Sequence, residues 1–149
     1  FPQDEILPVD LPGAGEFRNI KSPQSVSGIC EFVRSQAAER APGAQFRLLG
    51  VSLGGMVAME WMKTHPQDLL GCVLINTSSK AISPFYNRLR WQIWHQFLQI
   101  LATRSPRDRE KAIIDLVMNN EEAKEKAFPQ WTKLATEYPM SYLSAASQL

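Results

Sequence analysis

Apolar positions keep two rhythms in the first half of the chain and only one in the second. Ile6 to Val9 reads as a short strand, with Pro8 marking an edge or irregular end because it brings no N–H to a ladder. From Ser22-Pro23 the spacing changes. Val26, Ile29, Cys30, Phe32 and Val33 recur at helical intervals to about Arg40, and Ala41-Pro42-Gly43 ends the run. Phe46, Leu48 and Leu49 read as a second strand, and an apolar helical run from Met56 to Met62 follows. Val57, Ala58, Met59 and Trp61 make that helix apolar nearly all round, as suits one packed in the middle of a layered domain, and His65-Pro66 closes it. Cys72-Val73-Leu74-Ile75-Asn76 is a continuous apolar run, which predicts a parallel strand covered on both faces.

After Ser83-Pro84 the strand rhythm disappears. Helical spacing covers roughly 85–103, 107–119, 121–127, 129–137 and 140–148, split by Ser105-Pro106, Asn119-Asn120, Pro129 and Pro139. The pattern predicts an α/β part over residues 1–82, with about three strands of a parallel sheet, followed by an all-helical part over 83–149. No internal repeat or low-complexity segment interrupts this order.

Between the second strand and its helix lies Gly50-Val51-Ser52-Leu53-Gly54. A Gly-x-Ser-x-Gly between a strand and a helix is the context of a nucleophile elbow, a turn so tight that Ser52 sits in a strained backbone conformation. Side chains at Gly50 and Gly54 are expected to collide with the neighbouring strand and helix. Such a turn holds the Ser52 hydroxyl clear of the sheet edge, at a helix N-terminus where amides and the helix dipole favour an oxyanion. The bland alternative is a glycine-rich turn carrying a solvated serine.

With that motif and its flanks, the chain resembles an internal piece of an α/β-hydrolase fold protein. Val9-Asp10-Leu11-Pro12-Gly13-Ala14-Gly15 is similar to a family segment that reads Asp-x-x-Gly-x-Gly, and Gly50 to Gly55 is similar to the elbow. Thr64-His65-Pro66-Gln67 and the run 72–76 resemble the end of the elbow helix and the next core strand. Residues 83–149 resemble, by position and helical character, the cap (lid) that many members insert there over the carboxyl edge of the strands. The resemblance implies a catalytic Ser52, with the Leu53 backbone N–H in the oxyanion hole. It implies an acid and a histidine in the order Ser…Asp/Glu…His, both after the cap and so outside this chain. A His-Gly-type loop supplying a second oxyanion amide would precede Phe1. On that reading residues 1–149 alone are expected not to turn over substrate, and to expose strand edges and apolar faces.

Composition narrows the partners. The 149 residues are 44% hydrophobic, enough for a sizeable core, and 16 basic against 15 acidic residues leave a formal charge of +1. No basic excess points to nucleic acid, and no apolar run approaches the ~18 residues of a membrane span. No signal peptide precedes the first strand, and a cytoplasmic location is expected. Cys30 and Cys72 have neither metal spacing nor the density of a disulfide framework, and read as buried thiols. No cofactor and no metal are expected. Asn76-Thr77-Ser78 matches a glycosylation acceptor but ends a core strand, and reads as a chance match. The expected partner is a small-molecule acyl substrate, with no nucleic acid or membrane, and the oligomeric state stays open.

The chain has two histidines, His65 and His95, as candidates for the missing base. His65 lies 13 residues beyond Ser52 along one helix, about 20 Å at ~1.5 Å per residue, against the ~3 Å of a nucleophile–base hydrogen bond. His65 is excluded, and suits a helix C-terminus instead. His95, between Trp94 and Gln96 in the helical part, reads by default as a surface histidine. Asp10 resembles a structural position of the family, and Asp68 lies beyond the far end of the elbow helix. Trp91, Ile93, Trp94, Phe97, Leu98, Ile100 and Leu101 carry more apolar surface than one buried stripe needs. They read as packing within the cap, with Trp91, Trp94 and Leu98 as candidate lining of an acyl pocket. Arg88, Arg90, Arg104, Arg107, Arg109 and Lys111 read as a solvated face rather than an anion site.

The leading expectation is a serine hydrolase acting on an ester, thioester or amide. An acyltransferase shares the same machinery, and Ser52-Leu53-Gly54-Gly55-Met56 with Glu60-Trp61 is similar to homoserine-type acetyltransferases. A non-catalytic member using the fold as a binding scaffold is the third reading.

Overall fold

In a computed structural model, which describes residues 5–77, 94–103 and 105–137, the first long helix, α1, spans Val26–Arg40. It starts later than Ser22-Pro23 because Ser25 is the residue that caps it. The Ser25 hydroxyl accepts the Gly28 N–H at 3.1 Å and satisfies one of the donors that a helix N-terminus leaves unpaired. Strand β1 follows at Phe46–Val51, helix α2 at Leu53–Thr64 and strand β2 at Leu69–Ile75. A 3₁₀ turn, Pro66–Asp68, connects the last two.

The two strands pair in parallel, from Phe46 opposite Leu69 to Val51 opposite Ile75, with an irregularity after Phe46 that leaves Leu70 as an extra residue. Among the described residues the sheet has these two strands, where the sequence pattern predicts about three. Ile6–Val9 carries no ladder. Pro8 has no N–H to give, and its carbonyl accepts from Arg40 Nη1 at 2.9 Å instead of from a strand. Side chains fasten this segment: Asp10 Oδ2 accepts the Glu16 N–H at 2.9 Å, and Glu16 pairs with Arg40. Gly15, at φ +51°, must lack a side chain, because a Cβ there would lie 1.9 Å from Asp10 Oδ2.

The core of this first unit is Ile29, Cys30 and Ala37 of α1 against Val57 and Trp61 of α2, with Phe46, Leu48 and Leu69 packed onto them. Helix α2 thus covers one face of the sheet. The alternate positions point the other way, and Leu49 and Val73 are 70% and 57% exposed. The apolar run 72–76 is therefore covered on one face rather than two among the described residues. Burial also pushes the Cys30 thiol up to about 11, with Glu31 and Glu60 adding to the shift.

Polar groups close the end of the unit where β1 begins. Asp68 Oδ2 accepts from Arg34 Nε at 2.6 Å and from the Trp61 indole N–H at 3.2 Å, joining α1, α2 and the 3₁₀ turn. His65 Nε2 lies 2.8 Å from Glu31 Oε1 beside them. The Arg34 hydrogen bond chiefly holds the Asp68 carboxyl below its usual range; burial opposes it and the Trp61 bond assists.

The chain forms two compact units, and the described part of the second, within residues 94–137, is built of helices: α3 Trp94–Ala102, α4 Pro106–Val117 and α5 Glu121–Glu137. Helices α4 and α5 fold back on one another, with Lys124 Nζ 3.5 Å from Asp115 Oδ1 and the Arg107 guanidinium 5.6 Å from the centre of the Phe128 ring. Pro129 does not split α5 as the sequence pattern predicts. It removes the donor for the Glu125 carbonyl, but both residues are on the exposed side, where water can take that carbonyl. No described helix is long and apolar enough to cross a membrane.

Because the Asp68 carboxyl is depressed in the folded state, its contribution is present above the unfolded value and is lost as pH falls through the folded one. Stability of the first unit should therefore fall below about pH 4. Asp68→Asn should melt earlier than wild type at pH 7 and show a shallower acid loss, read by thermal melts across pH 2 to 7 at fixed salt.

Candidate functional site

Strand β1 and helix α2 are separated by a single residue, Ser52. A chain that leaves a strand and enters a helix in one step must take a backbone conformation outside both. Ser52 does so at φ +51° and ψ −115°, where an L-residue other than glycine rarely sits. The cost is about 1–3 kcal/mol and persists only where neighbours fix the turn. Several do. The Ser52 N–H donates to the Ile75 carbonyl at 3.0 Å, extending the β1–β2 ladder through the turn. The Ser52 carbonyl accepts from the amides of Gly55 at 3.0 Å and Met56 at 3.2 Å, starting the helix. The Ser52 side chain is exposed, makes no capping bond to its own helix, and stands at its N-terminus.

The glycines divide differently from the motif's expectation. A Cβ on Gly50 would lie 2.6 Å from the Gly54 carbonyl oxygen and 2.7 Å from the Gly55 Cα, so strand and helix backbones touch there. A Cβ on Gly54 would meet nothing within 4 Å, which corrects the expected collision at that position. The crowded helical glycine is the next one. A Cβ on Gly55 would lie 1.8 Å from Thr77 Oγ1, just beyond the end of β2. Sequence reasoning missed both Gly55 and Thr77; the doubled Gly54-Gly55 and a hydroxyl residue after the second strand were the available signals.

With the Gly55 and Met56 amides turned to the Ser52 carbonyl, those of Leu53 and Gly54 are the first two donors of α2 and have no intrahelical acceptor. The Leu53 N–H adjoins Ser52 in the chain, and the helix dipole adds to the pull on negative charge at this end. The arrangement can hold an oxyanion formed beside the Ser52 hydroxyl.

The other candidates scatter. His65 caps the C-terminus of α2, donating its backbone N–H to the Trp61 carbonyl at 2.8 Å, and its ring faces Glu31. It lies beyond the whole 12-residue helix from Ser52, about 20 Å away. His95 is exposed on α3 of the second unit, and Leu98 is 59% exposed there. Trp94 is the first residue of α3, and Trp91 lies outside the described residues, as do Arg88, Arg90 and Arg104. Asp10 is engaged with the Glu16 amide. A cleft of about 230 Å³ lies between Arg34, Phe46, Trp61, Gln67 and Asp68. It opens where β1 begins, at the opposite end of the strand from Ser52.

Gly54→Ala should fold with unchanged or slightly higher stability, since alanine favours a helix over glycine by about 0.5–1 kcal/mol and has space there. Gly55→Ala should lower the melting temperature by several degrees, because the new methyl and the Thr77 hydroxyl cannot share one position. Thermal melts of the two variants check the distinction.

A family model described as alpha/beta hydrolase fold matches residues 5–145. No curated protein and no solved structure matches the chain. The family match runs from the segment before α1 past the end of α5, and contains the parallel strands and the single-residue turn at Ser52. This chain belongs to the alpha/beta hydrolase fold family.

Proposed function

We propose that Ser52 is the nucleophile of a serine hydrolase that acts on a small ester, thioester or amide. The observation that carries this reading is the Ser52 backbone: an exposed serine at φ +51°, alone between a parallel strand and a helix N-terminus. Strain of this kind at a non-glycine residue marks a position whose direction matters more than its local energy.

The chemistry follows from the geometry. The Ser52 Oγ attacks the acyl carbon as its proton passes to a general base, and the carbonyl π pair moves onto oxygen. The oxyanion is held by the Leu53 N–H, an existing donor that needs no rearrangement as charge develops. Collapse expels the alcohol, thiol or amine with a proton, leaving an ester on Ser52. Water attacks that ester through a second oxyanion and returns the free hydroxyl with the acid product. His65 is too distant to be the base, and its ring is engaged by Glu31. The acid and base are groups other than His65.

Acyl transfer to an alcohol would differ only in the final acceptor. No observation favours it. Trp61, which with Glu60 drew the comparison to homoserine-type acetyltransferases, is 1% exposed and bonded to Asp68, so it has no reach to an acceptor.

Incubation of the full-length protein with a fluorophosphonate probe should give an adduct that peptide mass spectrometry maps to Ser52. Ser52→Ala should abolish labelling and lower kcat on short-chain p-nitrophenyl esters by about 10³-fold or more. Absence of both labelling and turnover would sink the enzymatic reading in favour of a binding scaffold.

A further inference from the structure

Thr77 sits two residues past β2, and its hydroxyl is shared between two carbonyls. Oγ1 donates to the Ser52 carbonyl oxygen at 3.0 Å and to the Ile75 carbonyl oxygen at 3.1 Å. The second of these oxygens also accepts the Ser52 N–H. Both peptide groups of Ser52 are therefore tied to the end of β2, one directly and one through Thr77.

Two further features serve the same contact. Asn76, at φ +48°, is the other non-glycine residue with positive φ among the described residues, and the turn it makes directs Thr77 back toward the elbow. Asparagine tolerates that region better than most side chains. Gly55 supplies the space, since any Cβ there would occupy the Thr77 hydroxyl position. A left-handed turn, a missing side chain and a hydroxyl thus converge on the Ser52 carbonyl.

That carbonyl shares a planar peptide with the Leu53 N–H. The ψ of Ser52, −115°, sets the orientation of this plane. A bond to its oxygen fixes the direction of the N–H at the other end. It also polarises the group, because accepting at the oxygen strengthens donation at the nitrogen. We infer that Thr77 is a positioning residue for the oxyanion donor, acting through the 52–53 peptide to aim and strengthen the Leu53 N–H. The inference rests on the reading of Ser52 as nucleophile and extends it to a residue that acts through the 52–53 peptide.

The test uses the full-length protein, p-nitrophenyl acetate and a fluorophosphonate. Thr77→Val keeps the shape and removes the hydroxyl; Thr77→Ser keeps the hydroxyl and removes the methyl. Thr77→Val should lower kcat by about tenfold, less than the loss of an oxyanion donor itself. It should slow fluorophosphonate labelling by a similar factor, with KM nearly unchanged. Thr77→Ser should restore most of the rate. If Thr77→Val keeps the wild-type kcat while Ser52→Ala abolishes turnover, the positioning role is overturned and the nucleophile stands. An equal rate loss in Thr77→Ser and Thr77→Val would overturn it too, because keeping the hydroxyl would then rescue nothing. If wild type neither labels nor turns over, the nucleophile reading fails and this inference with it.

Discussion

One strained peptide, held between the ends of two parallel strands, is the constraint on which the described site depends. Ser52 has a backbone conformation that its own residue type disfavours, so the neighbours must supply what local propensity does not. They do so through the β2 end, where the Ile75 carbonyl accepts the Ser52 N–H and the Thr77 hydroxyl donates to the Ser52 carbonyl. Remove the close approach of strand and helix at Gly50, or the space at Gly55, and this geometry has no room to exist. The free amides at the start of α2 follow from the same turn, because the helix begins one residue after the strand ends.

The first unit separates strain from support along its length. Where β1 begins, α1, α2 and the 3₁₀ turn are joined by Arg34, Asp68 and Trp61, and by His65 with Glu31. Between the two ends lies the packed core of Ile29, Cys30, Val57 and Trp61. Helix α2 is a rigid link between them: its last residues are fastened in the polar cluster while its first carry the elbow. Such an element transmits the fixed position of one end to the other, since packed helices resist continuous deformation. The Arg34–Asp68 pair fastens the unit at the opposite end of α2 from Ser52.

Much of this was legible in the chain, for identifiable reasons. The strand–turn–helix order around Ser52 needs only a local pattern of apolar residues and glycines, and the structure gives Ser52 its positive φ accordingly. Excluding His65 needed only the rise of a helix. Where the pattern misled, a partner elsewhere decided. Ile6–Val9 is a short apolar run that reads as a strand, but the Pro8 carbonyl goes to Arg40 and no ladder forms. Pro129 reads as a break, yet α5 runs through it because the carbonyl it orphans is on the exposed side. The crowded glycine of the helix is Gly55 and not Gly54, because the crowding comes from Thr77, 22 positions along the chain.

The sequence by itself determined the elements that depend on short-range order: two helix–strand pairs, the turn between β1 and α2, and the helical second unit. Periodicity and tight-turn chemistry act over a few residues, so they are written directly in neighbouring positions. Only the tertiary structure decided which groups hold the turn. The Thr77 hydroxyl, the Ile75 carbonyl and the bare Gly55 α-carbon meet because β2 pairs in parallel beside β1, bringing the carboxyl ends of both strands to one place. That meeting is a matter of register and separation in space, and no local pattern in a single chain encodes it.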